Sequence, residues 1–179
     1  MEIAGQTRAA WWVKYAFVGA SLVIGAMGWV PWPRQSEPLV PVTARRVMPA
    51  VELAEMGGGT WRLADHRGEV VLINYWASWC GPCQQETPGL VRLAAETKGL
   101  AVVGIAMDEG DRGSVKEFVQ RMHVEYPIAF PAPLSQEAQA MVGLPTTILV
   151  DREGRVAKTY VGATREREFR KDVEALLGE

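Results

Sequence analysis

The sequence predicts one mixed α/β domain that follows an N-terminal membrane segment. The chain has 179 residues, 48% hydrophobic and 22% charged, which is enough for one globular unit with a substantial core. Short apolar segments alternate with amphipathic ones, as in a sheet whose strands are connected by helices. The formal net charge is -2 and like charges are not clustered, which argues against nucleic acid as a partner.

Residues 11–30 have the composition of a single membrane-spanning helix. At about 1.5 Å per residue this run just crosses a hydrocarbon core of about 30 Å. Tryptophans stand at both ends, where the membrane–water interfaces lie. Arg8 and Lys14 at the start of the run predict that residues 1–10 form a short cytoplasmic tail and that the body lies outside the inner membrane, in the periplasm or its equivalent.

A cleaved signal peptide is the alternative for the same segment, because Ala26 and Gly28 offer small residues at a suitable spacing. Both interpretations place the body outside the cytoplasm. Residues 31–49 contain five prolines and no sustained hydrophobic period, which predicts an extended linker. The folded domain is then expected over 50–179.

The apolar pattern of the body predicts its elements in order. Two short alternating segments around the glycines at 57–59 predict a hairpin. The nearly continuous apolar run 70–76 is typical of a central strand buried on both faces, and a helix over 81–97 follows it. Further strands are predicted near 101–107, 126–130, 146–150 and 155–161. Ser114 and Glu117 have the spacing of a capping box, which predicts a helix with Ser114 as its N-cap. A last helix is predicted over 165–177.

Cys80 and Cys83, the only cysteines, stand where the central strand becomes a helix. They close a loop too small to staple a fold, so a structural disulfide is excluded. At a helix N-terminus, unpaired N–H groups and the helix dipole favour the thiolate of Cys80, which predicts the attacking thiol. Cys83 is within disulfide reach and would resolve a mixed disulfide. Pro82 is tolerated in the first helical turn, where its missing N–H would have no intrahelical partner.

Metal binding is the main alternative use of the cysteine pair. Zinc needs about four ligands, and His66 and His123 lie far apart without paired spacing. A copper chaperone would need soft ligands in reach, but no histidine follows His123. The acidic stretch 108–111 lacks the spacing of a calcium loop and is interpreted as a solvated turn. We therefore expect no metal and no cofactor.

Two motifs stand out in the body of the chain, VVLINYWASWCGPC at 70–83 and GLPTTILVD at 143–151. Through these motifs the chain, from Pro49 onward, resembles the TlpA/ResA group of thioredoxin-like proteins. The resemblance implies a thioredoxin-like fold with an N-terminal hairpin and a central strand–helix insertion. It also implies an extracytoplasmic thiol–disulfide oxidoreductase, here expected to be a reductase of cysteines in exported client proteins that is kept reduced by a membrane electron donor. A thiol oxidase or isomerase of the same fold is the close alternative.

The resemblance also assigns roles to individual residues. It implies that the Leu144–Pro145 peptide is cis and lies opposite the cysteines, where its backbone pairs with an extended substrate. It makes Glu86 an acid that tunes the cysteine pair; a solvated glutamate in a polar stretch is the alternative. Thr146 stands where members dedicated to cytochrome c maturation often carry an acidic residue, so that role remains open.

Two further assignments complete the predicted site. Trp79 is expected on the rim covering Cys80, whereas Trp76 is expected in the core. Together with Gly81, Pro82 and the segment 144–146, Trp79 forms the predicted substrate-binding surface. Pro88 removes a helical N–H and is expected to kink the helix without a role in the chemistry.

Overall fold

The computed structural model describes residues 37–131 and 143–179, which belong to one compact unit. The tail 1–10, the candidate membrane segment 11–30 and residues 31–36 of the linker lie outside the described residues. Among those that are described, no helix is long and apolar enough to cross a bilayer. The elements are β1 (Glu52–Glu55), β2 (Thr60–Arg62), β3 (Val70–Trp76), α1 (Gly81–Glu96), β4 (Leu100–Ala106), α2 (Arg112–Arg121), β5 (Ile128–Phe130), β6 (Thr146–Val150), β7 (Val156–Val161) and α3 (Glu166–Leu177).

The strands form a mixed sheet in the order β2-β1-β5-β4-β3-β6-β7. The predicted hairpin is present, with Leu53 opposite Trp61 in the antiparallel pair β1–β2. β3 lies at the centre, parallel to β4 and antiparallel to β6, and all seven of its residues are buried. Burial on both faces explains why the sequence of β3 is nearly continuously apolar instead of alternating.

Three apolar clusters make up the core. One contains residues of α1 and α3 with residues of the central strands, among them Leu72, Leu90 and Phe169. A second contains residues of the hairpin with the alternate residues of the same strands, including Trp61 and Ile73. The third is formed by residues of α2 and the ends of β3, β4 and β5 together with both cysteines. The cysteine pair is thus part of the packed interior at the end of β3.

α2 begins three residues earlier than the sequence predicted, at Arg112. The expected cap was Ser114, but the side chain of Asp111 caps the helix and accepts hydrogen bonds from Ser114 N at 3.0 Å and Ser114 Oγ at 2.6 Å. Aspartate is as good an N-cap as serine. The capping-box spacing of Ser114 and Glu117 was therefore a misleading signal.

Gly104 in β4 has no room for a side chain. A Cβ atom at this position would lie 2.7 Å from Trp76 Nε1 and 2.8 Å from Ile128 Cδ1. Trp76 is buried, as expected, and packs on Phe118 with 4.3 Å between ring centroids. We expect Gly104→Ala to lower the free energy of unfolding by about 2 kcal/mol through overpacking.

Urea denaturation of the Gly104→Ala protein measures this loss. Gly57→Ala is the control, because a Cβ atom at Gly57 would meet no atom within 4 Å and the residue does not have a positive φ. Equal stability losses in the two variants would contradict the packing argument.

Part of the predicted linker lies along the edge strand β7. We call residues 40–48 the strap. Val40 N donates to Ala157 O at 2.9 Å and Val156 N donates to Arg46 O at 2.8 Å. An edge strand exposes a row of unpaired backbone groups, and the strap satisfies those at the start of β7. The limits of linker and domain at 49 and 50 stay a prediction.

A buried guanidinium fixes the strap to the domain. Arg45 is only 8% exposed, and its guanidinium donates to Asp151 at 3.1 Å and to the two carboxylate oxygens of Glu179 at 2.5 and 2.8 Å. Its Nε also donates to Val40 O at 2.8 Å. A charge taken out of water is tolerated only when it is paired and hydrogen-bonded, and these contacts meet that requirement.

Candidate active site

The CxxC motif lies at the junction between the central strand and α1. β3 ends at Trp76 and α1 begins at Gly81, so Cys80 is the N-cap residue. Its sulfur accepts a hydrogen bond from Cys83 N at 3.2 Å. Pro82 stands in the first turn, as expected. When the pair is reduced, this N–H and the positive end of the helix dipole favour a negative charge on the Cys80 sulfur.

Cys80 and Cys83 form a disulfide, with an S–S distance of 2.04 Å and 5.2 Å between their Cα atoms. Both residues are buried, at 5% and 2% exposure, whereas the neighbouring Trp79 is 71% exposed. An exposed indole beside a recessed disulfide is a surface on which an apolar segment of another protein can pack. The contrast between Trp79 and the buried Trp76 agrees with their predicted positions on the rim and in the core.

The second motif lies beside the first. The Leu144–Pro145 peptide is cis, as the resemblance implies, and Leu144 packs against the cluster that contains both cysteines. Pro145 O accepts a hydrogen bond from Gly162 N at 2.8 Å, and the Thr146 hydroxyl donates to Gly143 O at 2.7 Å. The segment 144–146 is therefore fixed by hydrogen bonds at the start of β6, the direct neighbour of β3.

Glu86 is buried, which excludes the interpretation of this residue as a solvated glutamate. It is 5% exposed and lies on α1, three positions after Cys83. Its carboxylate accepts hydrogen bonds from Asn74 Nδ2 at 2.9 Å, from Thr164 N at 2.6 Å and from Thr147 Oγ1 at 3.5 Å. These donors come from β3, from the segment between β7 and α3, and from β6, so Glu86 connects four parts of the fold.

Burial raises the pKa of Glu86 from 4.5 to about 7. Its hydrogen bonds with Thr164, Asn74 and Thr147 lower the pKa and therefore limit the rise. A carboxyl group with a pKa near neutrality exists in both protonation states at physiological pH. Such a group can accept or donate a proton during a reaction.

Asp108 is a residue whose environment the sequence analysis missed. It was expected in a solvated turn, but it is only 7% exposed, and its carboxylate accepts hydrogen bonds from Ser78 N and Ser78 Oγ. The prediction was wrong because parallel neighbouring strands end at the same edge of a sheet. An acid two residues after β4 therefore reaches the turn that follows β3. This placement in the order of elements was the available signal.

A disulfide at the N-terminus of the helix that follows a central strand, beside a cis-proline, defines a thiol–disulfide oxidoreductase of the thioredoxin fold. The model of the Redoxin family matches residues 43–177, and the chain belongs to this family. This match and the relatives described next confirm three predictions from the sequence. They are the family indicated by the two motifs, the fold of the domain and the enzyme class.

Proteins similar to this chain include ones named for thiol–disulfide exchange. Thiol-disulfide oxidoreductase ResA of Geobacillus thermodenitrificans is 27% identical over 161 residues, which cover 87% of this chain and 90% of the relative. Thioredoxin-like protein YneN of Bacillus subtilis is 26% identical over 156 residues, 86% and 92% of the two chains. The crystal structure of a putative thiol:disulfide interchange protein DsbE from Chlorobium tepidum superposes with a TM-score of 0.67 at 31% identity, covering 75% of this chain and 97% of that one.

Proposed function

We propose that this protein is a membrane-anchored disulfide reductase that acts outside the cytoplasm on oxidised cysteines of exported proteins. The observation that supports it most directly is the position of Cys80 at the N-terminus of α1, where Cys83 N donates to its sulfur. A thiolate stabilised in this way is the attacking species in thiol–disulfide exchange.

In the proposed reaction the Cys80 thiolate attacks one sulfur of a client disulfide. A mixed disulfide forms and the other client sulfur leaves as a thiolate. Cys83, once deprotonated, then attacks the Cys80 sulfur, which forms the intramolecular disulfide and releases the second client thiol. The client gains two electrons and the enzyme loses two. A membrane thiol protein acting as electron donor returns them by the same exchange in reverse.

Glu86 is the proposed acceptor of the Cys83 proton. Both residues lie on α1 three positions apart, a spacing that places them on one face of the helix. Burial brings the pKa of Glu86 to about 7, so that a fraction of the molecules carries the carboxylate at neutral pH. Removing the proton from Cys83 is the step that makes the second attack possible.

The proposed client surface combines the exposed Trp79, the Gly81–Pro82 turn and the segment 144–146. Trp79 offers an apolar face, and Leu144 packs against the cluster that contains the cysteines. In this proposal the main chain beside Leu144 pairs with an extended client. The clients share a disulfide and an extended backbone, not one side-chain sequence. Apocytochrome c is one candidate, although Thr146 does not favour it.

Trapping tests the assignment of the two cysteines. The full-length Cys83→Ser protein should accumulate mixed disulfides with exported proteins, because the bond at Cys80 can no longer be resolved. Cys80→Ser should yield none. Adducts are detected on non-reducing gels and should disappear with dithiothreitol. Comparable adducts from both variants would refute the assigned roles.

The redox potential tests the direction of the reaction. A value near the roughly -270 mV of thioredoxin would support a reductase, whereas one near the roughly -120 mV of a dedicated oxidant would support the alternative. The anchor over 11–30 is tested by the mass of the mature protein isolated from membranes. An intact N-terminus supports a retained helix, and loss of about the first 28 residues would identify a cleaved signal peptide.

A further inference from the structure

Ser78 connects the turn that presents Cys80 to its surroundings by hydrogen bonds. Cys80 N donates to Ala77 O at 3.1 Å and closes the turn. Within it, Ser78 O accepts a hydrogen bond from Gln84 Nε2 at 3.0 Å, and both Ser78 donors go to Asp108. All the polar groups of Ser78 are therefore engaged, two with Asp108 and one with α1.

Asp108 reaches Ser78 because of the register of the sheet. Trp76 at the end of β3 is paired with Ala106 at the end of β4, and Met107 N continues the ladder by donating to Trp76 O at 2.8 Å. Two residues further along both chains, Asp108 stands level with Ser78. Both carboxylate oxygens lie 3.1 Å from Ser78 N, and Oδ1 also accepts from Ser78 Oγ at 2.5 Å.

Burying a carboxylate is costly unless donors satisfy it. In the described part of the chain, the hydrogen bonds to Asp108 come from Ser78 alone. The burial of Asp108 is therefore linked to one local task, which is to hold the CxxC turn against the end of β4. The residue does not cap a helix, unlike Asp111 three positions on.

We infer that Asp108 is a positioning residue for thiol–disulfide exchange, which holds Ser78 so that Cys80 stays at the N-terminus of α1 when the disulfide is open. The inference rests on the proposed role of Cys80 as the attacking thiol. In the disulfide form, the bond to Cys83 itself ties Cys80 to the helix. Once that bond is reduced, the turn is held by its non-covalent contacts, of which the pair Asp108–Ser78 is the link to β4.

Removal of the Asp108 side chain and removal of its charge alone have different expected effects on Cys80. Asp108→Ala releases the turn, so that the sulfur loses its alignment with the N–H groups of α1 and its thiolate becomes less favourable. Asp108→Asn keeps an acceptor oxygen for Ser78 N and removes only the negative charge. If Asp108 acted on Cys80 through its charge alone, both substitutions would make the thiolate more favourable.

The experiment measures the pH dependence of Cys80 alkylation by iodoacetamide. It uses the full-length reduced protein in detergent with Cys83→Ser, so that only one thiol can react. For Asp108→Ala we expect the pKa of Cys80 to rise by about one unit, which slows alkylation near pH 6 by about tenfold. For Asp108→Asn the rate should lie within about twofold of the parent protein. Ser78→Ala, which removes one of the hydrogen bonds, should slow alkylation by about threefold.

Asp111 provides a matched control. Its carboxylate accepts from Ser114 N and Ser114 Oγ, the same pattern that Asp108 makes with Ser78, but on the cap of α2. Asp111→Ala should lower the melting temperature and leave the alkylation profile unchanged. A residue that only stabilises the fold would behave in this way. The pH profile of alkylation therefore distinguishes a residue that positions Cys80 from one that only stabilises the fold.

Three results would overturn the inference: an Asp108→Ala profile equal to that of Asp111→Ala, faster alkylation in both Asp108 variants, or a Ser78→Ala profile equal to that of the parent. If Asp108→Ala does not fold, Asp108→Asn and Ser78→Ala decide the question. The parent protein is measured first. An ordinary thiol profile for Cys80 there would refute the proposed function, whereas a lowered pKa with no response to Asp108 or Ser78 would refute this inference alone.

Discussion

The parent protein should become less stable as the pH rises from 4.5 to 8, and the substitution Glu86→Gln should remove this pH dependence. Burial raises the pKa of Glu86 from 4.5 to about 7, so the folded state holds this proton more tightly than the unfolded state does. The resulting stabilisation is complete below pH 4.5 and is lost as the pH rises through 7. The shift corresponds to about 3 kcal/mol of unfolding free energy.

Urea denaturation at several pH values measures this prediction as the difference between the parent and Glu86→Gln. Taking the difference removes the titration of the other carboxyl groups. Glu117→Gln on the exposed face of α2 is the control and should follow the parent at every pH. Parallel curves for the parent and Glu86→Gln would show that burial of this side chain does not govern its protonation.

The same substitution should slow the release of clients. A glutamine cannot accept the Cys83 proton, so the mixed disulfide at Cys80 should resolve about 100-fold more slowly at pH 7. Single-turnover kinetics with a peptide disulfide measure this step. Alkylation of Cys80 in the Glu86→Gln protein provides the comparison and should change little. An unchanged rate of resolution would remove Glu86 from the mechanism.

Arg45→Ala should destabilise the protein by about 3 kcal/mol, because it removes one partner of a buried ion pair. Asp151 is 3% exposed and would lose the guanidinium that lies 3.1 Å from it. Asp151 keeps its bonds to Arg155, which places the expected loss at the lower end of the range for broken buried pairs. Denaturation in urea measures the loss.

Glu179→Gln is the matched control for this prediction. It removes the other carboxylate that binds Arg45, but Glu179 is partly exposed and Arg45 keeps Asp151. We expect a loss under about 1 kcal/mol. Hydrogen exchange gives a second readout, since the amide of Val156, which donates to the strap, should exchange faster in Arg45→Ala only. Similar losses in the two variants would show that the buried pair does not fix the strap.

The central part of the fold and the cysteine pair could be predicted from sequence because their signals are local. A continuous apolar run such as β3 has few alternatives when a CxxC motif and a helix follow it. The cis peptide before Pro145 was predicted by resemblance alone, since the prior for any X–Pro bond is only about 5%. The order and type of the elements follow from the same patterns.

The surroundings of Glu86 and Asp108 could not be predicted, because they depend on contacts between distant segments. Nothing in the polar stretch around Glu86 indicates that Asn74, Thr147 and the main chain of Thr164 converge on it. The burial of Asp108 depends on the register between β3 and β4. The order of the elements indicated that Asp108 and Ser78 lie at the same edge of the sheet, but not the register that brings them into contact.

The strap also limits how far the protein can be shortened for laboratory work. A recombinant chain started at residue 50 would leave the N–H of Val156 and the carbonyl of Ala157 facing solvent along an open strand, and a second molecule could pair with them. A chain started at residue 37 would retain the protecting segment. The strap thus covers a strand edge at which two molecules could otherwise associate.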